Sequence, residues 1–70
     1  METFKLQEGE EYIELNNLMK ILNWVASGGE AKSQIDEGLV TVNGEVETRR
    51  RKKLRSGDKV EYGSEAAIIA

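Results

Sequence analysis

The sequence predicts an α+β fold in which two short helices pack on a small, mainly antiparallel sheet. Three observations carry that expectation. Leu15, Leu18, Leu22 and Val25 recur at helical spacing, and Ser27 and Glu30 follow with the separation of a capping box. After Gly38 the period shortens to two, with Val40 and Val42 on one face and Asn43-Gly44 as a turn pair. A later alternating stretch places Val60 and Tyr62 on a common face.

In chain order, "TFKLQ" alternates, with Phe4 and Leu6 on one side and Lys5 on the other, as a half-buried edge strand does. "EEYIEL" either extends it or leads into the first helix, expected over about residues 16 to 25 with Asn16 or Asn17 as cap. Met19 and Ile21 widen its apolar face. The second helix starts at "SGGE", where Ser27 and Glu30 can satisfy each other's backbone N–H groups, and runs to Glu37, with Gly38 ending it in a left-handed conformation. The hairpin Val40–Val46 turns at Asn43-Gly44. Arg49 to Lys53 break the alternation, so this segment is either an exposed edge or irregular chain until Leu54 anchors it again. "RSGDKVEYG" supplies a Ser-Gly-Asp turn and then a strand, and a final strand through Ala66 to Ile69 closes the sheet.

Seventy residues make a single domain, 1–70, near the lower size limit for a core without disulfides or metal. The balance of 39% hydrophobic and 33% charged residues is that of a chain that folds. With no cysteine and no histidine, neither a disulfide framework nor a zinc finger nor a catalytic triad is available. No catalytic residue, metal ligand or cofactor is assigned, and the chain is expected not to be an enzyme. The first ten residues carry acids and no continuous apolar run, so neither a secretory signal nor a membrane partner is expected, and the cytoplasm is the expected compartment.

Charge is distributed unevenly. The net charge is -3, yet residues 1–45 hold nine acids against three bases, and residues 46–60 hold seven bases against two acids. Six of the seven residues Arg49–Arg55 are cationic. Salt screens beyond about 8–10 Å, so a polyanion meeting this face responds to the local field and not to the chain average.

The succession of helix, serine-containing turn, helix and "IDEGLVTVNGEVETRRRKKLRSGDKVEY" resembles the RNA-binding domain first described in ribosomal small-subunit protein S-four, also called the alpha-L motif. Ile35, Gly38, Val40, Val42, Asn43, Gly44, Gly57, Asp58 and Val60 fill the places of its "I..G.V.VNG" and "GD.V" patterns. The resemblance covers about residues 15–62 and is strongest to small stand-alone bacterial proteins in which the domain is the whole molecule. It implies RNA-binding residues at the second helix start, Ser27, Gly28, Gly29 and Lys32, and along the basic segment, Arg49, Arg50, Arg51, Lys52, Lys53 and Arg55. It also implies a structured, ribosomal RNA or a ribosome assembly intermediate as partner; a monomer is expected. Many relatives carry arginine directly after the helix-start serine, where this chain has Gly28. That departure moves the burden of phosphate contact onto the basic run.

The residues support a milder version without the resemblance. Arginine can bridge phosphate oxygens with two parallel hydrogen bonds, and lysine acts as a point charge. Engagement of about four to six such groups corresponds to a log–log salt slope of roughly -3 to -5. The glycines of "SGGE" could also expose helix N–H groups to an anion, but Glu30 competes for that place, and the structural cap is the preferred reading. A charge run alone is commonly an aggregation-blocking edge, though six cations in seven positions exceed that need. Trp24 and Tyr62 read as packed side chains and not as base platforms, while Tyr12 and Asn23 carry no assignment. The alternative is a protein-interaction module whose basic segment docks an acidic partner.

Overall fold

The computed structural model describes all 70 residues. In chain order it contains β1 (Glu2–Phe4), β2 (Ile13–Glu14), α1 (Leu15–Ile21), α2 (Gly28–Asp36), β3 (Val40–Val42), β4 (Glu45–Val46), β5 (Lys53–Leu54), β6 (Lys59–Tyr62) and β7 (Glu65–Ile69). The main sheet runs β1-β7-β6-β3-β4, antiparallel throughout except where β1 lies parallel to β7. A separate two-stranded ribbon pairs β2 with β5. The expected α+β architecture is therefore the one observed, with this ribbon as an addition.

Strand alternation explains the core. Val40 and Val42 on β3, Val60 on β6 and Ala67 and Ile69 on β7 are buried, and the register sets Val42 opposite Val60 and Val60 opposite Ala67. Leu15, Leu18 and Met19 of α1, Ala31 and Ile35 of α2, Val25 between them and Leu54 of β5 close the other side. Phe4 and Leu6 pack against this cluster, as their parity in "TFKLQ" predicts, although the strand ends at Phe4 and Leu6 lies beyond it. Trp24 and Tyr62 are half-buried and stack with ring centroids 6.1 Å apart. Each polar tip is satisfied: Trp24 Nε1 donates to Glu2 Oε2 at 3.1 Å and the Tyr62 hydroxyl to Gln34 Oε1 at 2.9 Å. No helix is long and apolar enough to cross a membrane.

The first helix departs from expectation at both ends. It stops at Ile21 rather than near residue 25 because Asn23 adopts a left-handed φ of 59°. The Trp24 N–H then bonds back to the Met19 carbonyl and the Asn23 N–H to that of Lys20, the paired bonds of a Schellman motif. Ile21 consequently points outward and is 57% exposed. At its start neither Asn16 nor Asn17 caps the helix; the N-cap position is Glu14, and its side chain makes no cap bond. The second helix ends as expected, with Gly38 at φ 77°, its N–H on the Ile35 carbonyl and the Leu39 N–H on that of Gln34.

Candidate nucleic-acid interface

The basic segment is a tight turn followed by a strand. The Lys52 N–H donates to the Arg49 carbonyl at 3.1 Å, which leaves Arg50 and Arg51 at the turn's centre, and β5 then inserts the fully buried Leu54 into the core. Of the two conformations left open by the sequence, irregular chain is the one found for Arg49 to Lys52. The turn's backbone has a second role. The Lys52 carbonyl accepts the Leu15 N–H and the Arg50 carbonyl accepts the Asn16 N–H, both at 2.9 Å. These are two of the orphan donors at the start of α1, so the arginine-rich turn serves as that helix's cap.

Two further locks hold this segment. Glu47, nearly buried, accepts from Arg49 Nε at 3.0 Å and Nη2 at 3.1 Å, and from the Arg49 backbone N–H at 2.9 Å. The hydrogen bonds from the Arg49 side chain outweigh the cost of burial and hold the Glu47 carboxyl below its ordinary range, while Glu47 raises Arg49 in turn. On the far side, Asp58 Oδ2 accepts the Arg55 N–H at 2.8 Å and Asp58 Oδ1 accepts from Asn43 Nδ2 at 3.0 Å. Burial alone would raise Asp58, but the Arg55 N–H, the Asn43 amide and the charges of Lys52 and Arg55 together lower it. The Asn43 side chain also accepts the Lys59 N–H at 2.9 Å, so the hairpin turn and the Ser-Gly-Asp turn are tied together behind the basic strand.

The cations converge. A shallow hollow is lined by Arg49, Arg51, Lys52, Lys53 and Arg55 and by no other residue. Arg49 and Arg51 each have a carboxylate neighbour, Glu47 and Glu14 respectively, yet their side chains stay 71% and 74% exposed. A guanidinium has five N–H donors, so Arg49 keeps donors free beyond the two given to Glu47. Arg50, Lys52, Lys53 and Arg55 take part in no ion pair. Lys53 Nζ and the Arg55 guanidinium carbon lie 5.1 and 5.6 Å from the centre of the Tyr12 ring, within cation–π range.

The helix-start residues form a different arrangement. Ser27 Oγ accepts the Glu30 N–H at 3.1 Å, and Glu30 Oε1 accepts the Ala26 N–H at 2.7 Å, one residue before the cap. The Glu30 carboxylate thus occupies the entrance to α2. Lys20 of α1 brings its ammonium beside Gly28, 3.9 Å from where a side chain at that position would begin. Lys32 is paired with Asp36 at 3.0 Å along the helix. Neither a hydrogen bond, an ion pair nor a shared hollow links Ser27, Gly28, Gly29 or Lys32 to the basic turn. No group of histidine, cysteine, aspartate or glutamate side chains is placed to hold a metal ion.

A model of the S4 domain matches residues 4–70. The chain belongs to the S4 domain family. YbcJ of Escherichia coli strain K12, named as a candidate RNA-binding protein, is 41% identical over 71 positions and covers all of both chains. RlbA of Bacillus subtilis strain 168, named as a candidate ribosome maturation protein, is 43% identical over 51 positions, 73% of this chain and 72% of its own. The solution structure of E. coli YbcJ, described as an alpha-L motif involved in RNA binding, superimposes with a TM-score of 0.72 at 38% identity, covering this whole chain and 87% of the other. The S4 match thus extends beyond residues 15–62, through β7 at one end and to Phe4, the last residue of β1, at the other.

Within this S4 domain, sequence reasoning missed Tyr12, Lys20 and the Glu47 lock. Tyr12 precedes the pair Ile13–Leu54, so antiparallel register carries it opposite Arg55. No local pattern announces that neighbourhood, because the two segments lie some forty positions apart.

Proposed function

We propose that this chain binds structured RNA, ribosomal RNA or a ribosome assembly intermediate, through the turn and strand from Arg49 to Arg55. The observation that carries this reading is the hollow lined solely by Arg49, Arg51, Lys52, Lys53 and Arg55, with Arg50 at the tip of the adjoining turn. It is supported by the names of the relatives and by the description of the YbcJ structure. Ser27, Gly28, Gly29 and Lys32 belong to the same proposal with a smaller part, since Asp36 pairs with Lys32 and the Glu30 carboxylate, bonded to the Ala26 N–H, stands at the helix start where it repels a phosphate. Recognition is by phosphate and by shape, and the acidic remainder of the surface sets a single docking orientation. The role is binding and not catalysis.

The test is equilibrium binding of a structured RNA across a salt series. The wild-type chain is expected to show a log–log slope of roughly -3 to -5. Arg50→Gln with Lys52→Gln removes two unpaired cations while keeping the carbonyls that cap α1. The variant is expected to flatten the slope by about 1.5 to 2 with its circular dichroism unchanged. An unchanged slope would remove the basic turn from the interface, and a complex with an acidic protein that persists after ribonuclease treatment would favour the protein-partner alternative.

A further inference from the structure

Resting on the RNA-binding reading, we propose that Tyr12 is the stacking platform for one unpaired nucleobase, received in the hollow between residues 9–14 and helix α1 while the adjoining phosphates lie on the basic strand. Tyr12 is 37% exposed, and Lys53 and Arg55 sit over its ring at 5.1 and 5.6 Å. Neither of those cations lines the hollow to which Tyr12 contributes, which is formed with Glu10, Glu11, Asn17, Lys20 and Ile21. Tyr12 therefore lines the mixed hollow and carries at its ring two of the five cations that line the other.

The chemistry of the mixed hollow selects for a base over a phosphate. Glu10 and Glu11 repel a phosphodiester but place no such penalty on a neutral heterocycle, and their oxygens accept hydrogen bonds from base N–H groups. Asn17 offers an amide with both donor and acceptor. Ile21, left 57% exposed by the early end of α1, gives the base an apolar contact beside the ring. Lys53 and Arg55, within cation–π range of the Tyr12 ring, are positioned for the backbone of the same nucleotide or its neighbour, so one aromatic residue couples base stacking to phosphate contact. A continuous duplex fills only the cationic hollow. A stem interrupted by an unpaired nucleotide fills both.

The experiment uses the full chain and two RNA hairpins with the same stem, one uninterrupted and one carrying a single bulged purine. The wild-type chain is expected to bind the bulged RNA more tightly and to show upfield shifts of the Tyr12 ring protons with that RNA alone. Tyr12→Leu is expected to lower affinity for the bulged RNA by about tenfold or more, with less than twofold change for the uninterrupted stem. Tyr12→Phe is expected to retain the preference, and the amide spectra of both free variants check that the fold is intact. Equal loss on the two RNAs would overturn the proposal, because Tyr12 would then act only by holding Lys53 and Arg55. Equal wild-type affinity for the two RNAs with no ring-proton shift would also overturn it while leaving the phosphate interface in place. Binding of neither RNA would defeat the underlying RNA reading itself.

Discussion

Asn43 shows how much one residue can be asked to do. It adopts a φ of 53°, which asparagine tolerates better than other side-chain-bearing residues, and Gly44 follows at 85°, giving both central positions of a hairpin turn their left-handed backbone. Its amide then bonds Asp58 and the Lys59 N–H. Asn43→Ala is expected to destabilise the fold by about 1 to 2 kcal/mol, read from the urea midpoint, because it adds backbone strain and removes both bonds. Asn43→Gly relieves the strain and is expected to cost less. The carboxylates behind the basic strand make a pH prediction. Asp58 and Glu47 are both lowered in the folded state, so the folded chain binds fewer protons than the unfolded chain at acid pH. Their contribution is fully present above the ordinary carboxylate range and is lost as pH falls through the lowered folded values, beginning near pH 4. Melting temperature is expected to fall between pH 5 and pH 3, and to fall less in Asp58→Asn, which begins lower at pH 7. An equal drop in both proteins would separate Asp58 from the acid sensitivity.

At the scale of elements, the dependence of helix α1 on the basic turn is the notable arrangement. A seven-residue helix has little stability of its own, and two of its first N–H groups are satisfied by carbonyls from Arg50 and Lys52. Side-chain changes in the turn therefore spare the helix, whereas changes in turn length do not. Removal of one residue between Arg49 and Lys52 is expected to lower stability by about 2 kcal/mol or more, with loss of amide protection at Leu15 and Asn16 in hydrogen exchange. Arg50→Gln in the same position is expected to stay within about 0.5 kcal/mol of wild type. The contrast between the two measurements separates the turn's structural backbone from the side chains proposed to meet RNA.

For the molecule as a whole, the division of charge is the governing feature. Residues 46–60 are strongly cationic while the rest of the chain is acidic, and the fold gathers five of those cations around one hollow. Neutralising acids on the remaining surface, for example Glu8→Gln with Glu45→Gln, is expected to raise nonspecific RNA affinity severalfold at low salt and to blur the interface mapped by chemical shifts. The stability of so small a chain rests on few side chains. Leu54→Ala is expected to cost about 2 to 5 kcal/mol in denaturant melts, since Leu54 is fully buried and also anchors the strand that carries Lys53 and Arg55.

Much of this was legible in the sequence because the signals are local. The change from helical to alternating period, the Asn43-Gly44 turn, the Ser27 cap and Gly38 each specify backbone geometry within a few residues and stand where they were expected, except that the Glu30 carboxylate closes its half of the capping box on the Ala26 N–H and not on that of Ser27. The early end of α1 was partly legible too, in Asn23, but asparagine marks a helix end less firmly than glycine does. The density of positive charge was likewise a property of the chain alone. Tertiary structure decided what that charge can act with. Only the pairing of β2 with β5 brings Tyr12 beneath Lys53 and Arg55, turns the Arg50 and Lys52 carbonyls toward α1 and engages Glu14 with Arg51. These contacts join segments far apart along the chain, and register between distant strands is set by the burial of Ile13 and Leu54 against a shared core, which no short window of sequence encodes.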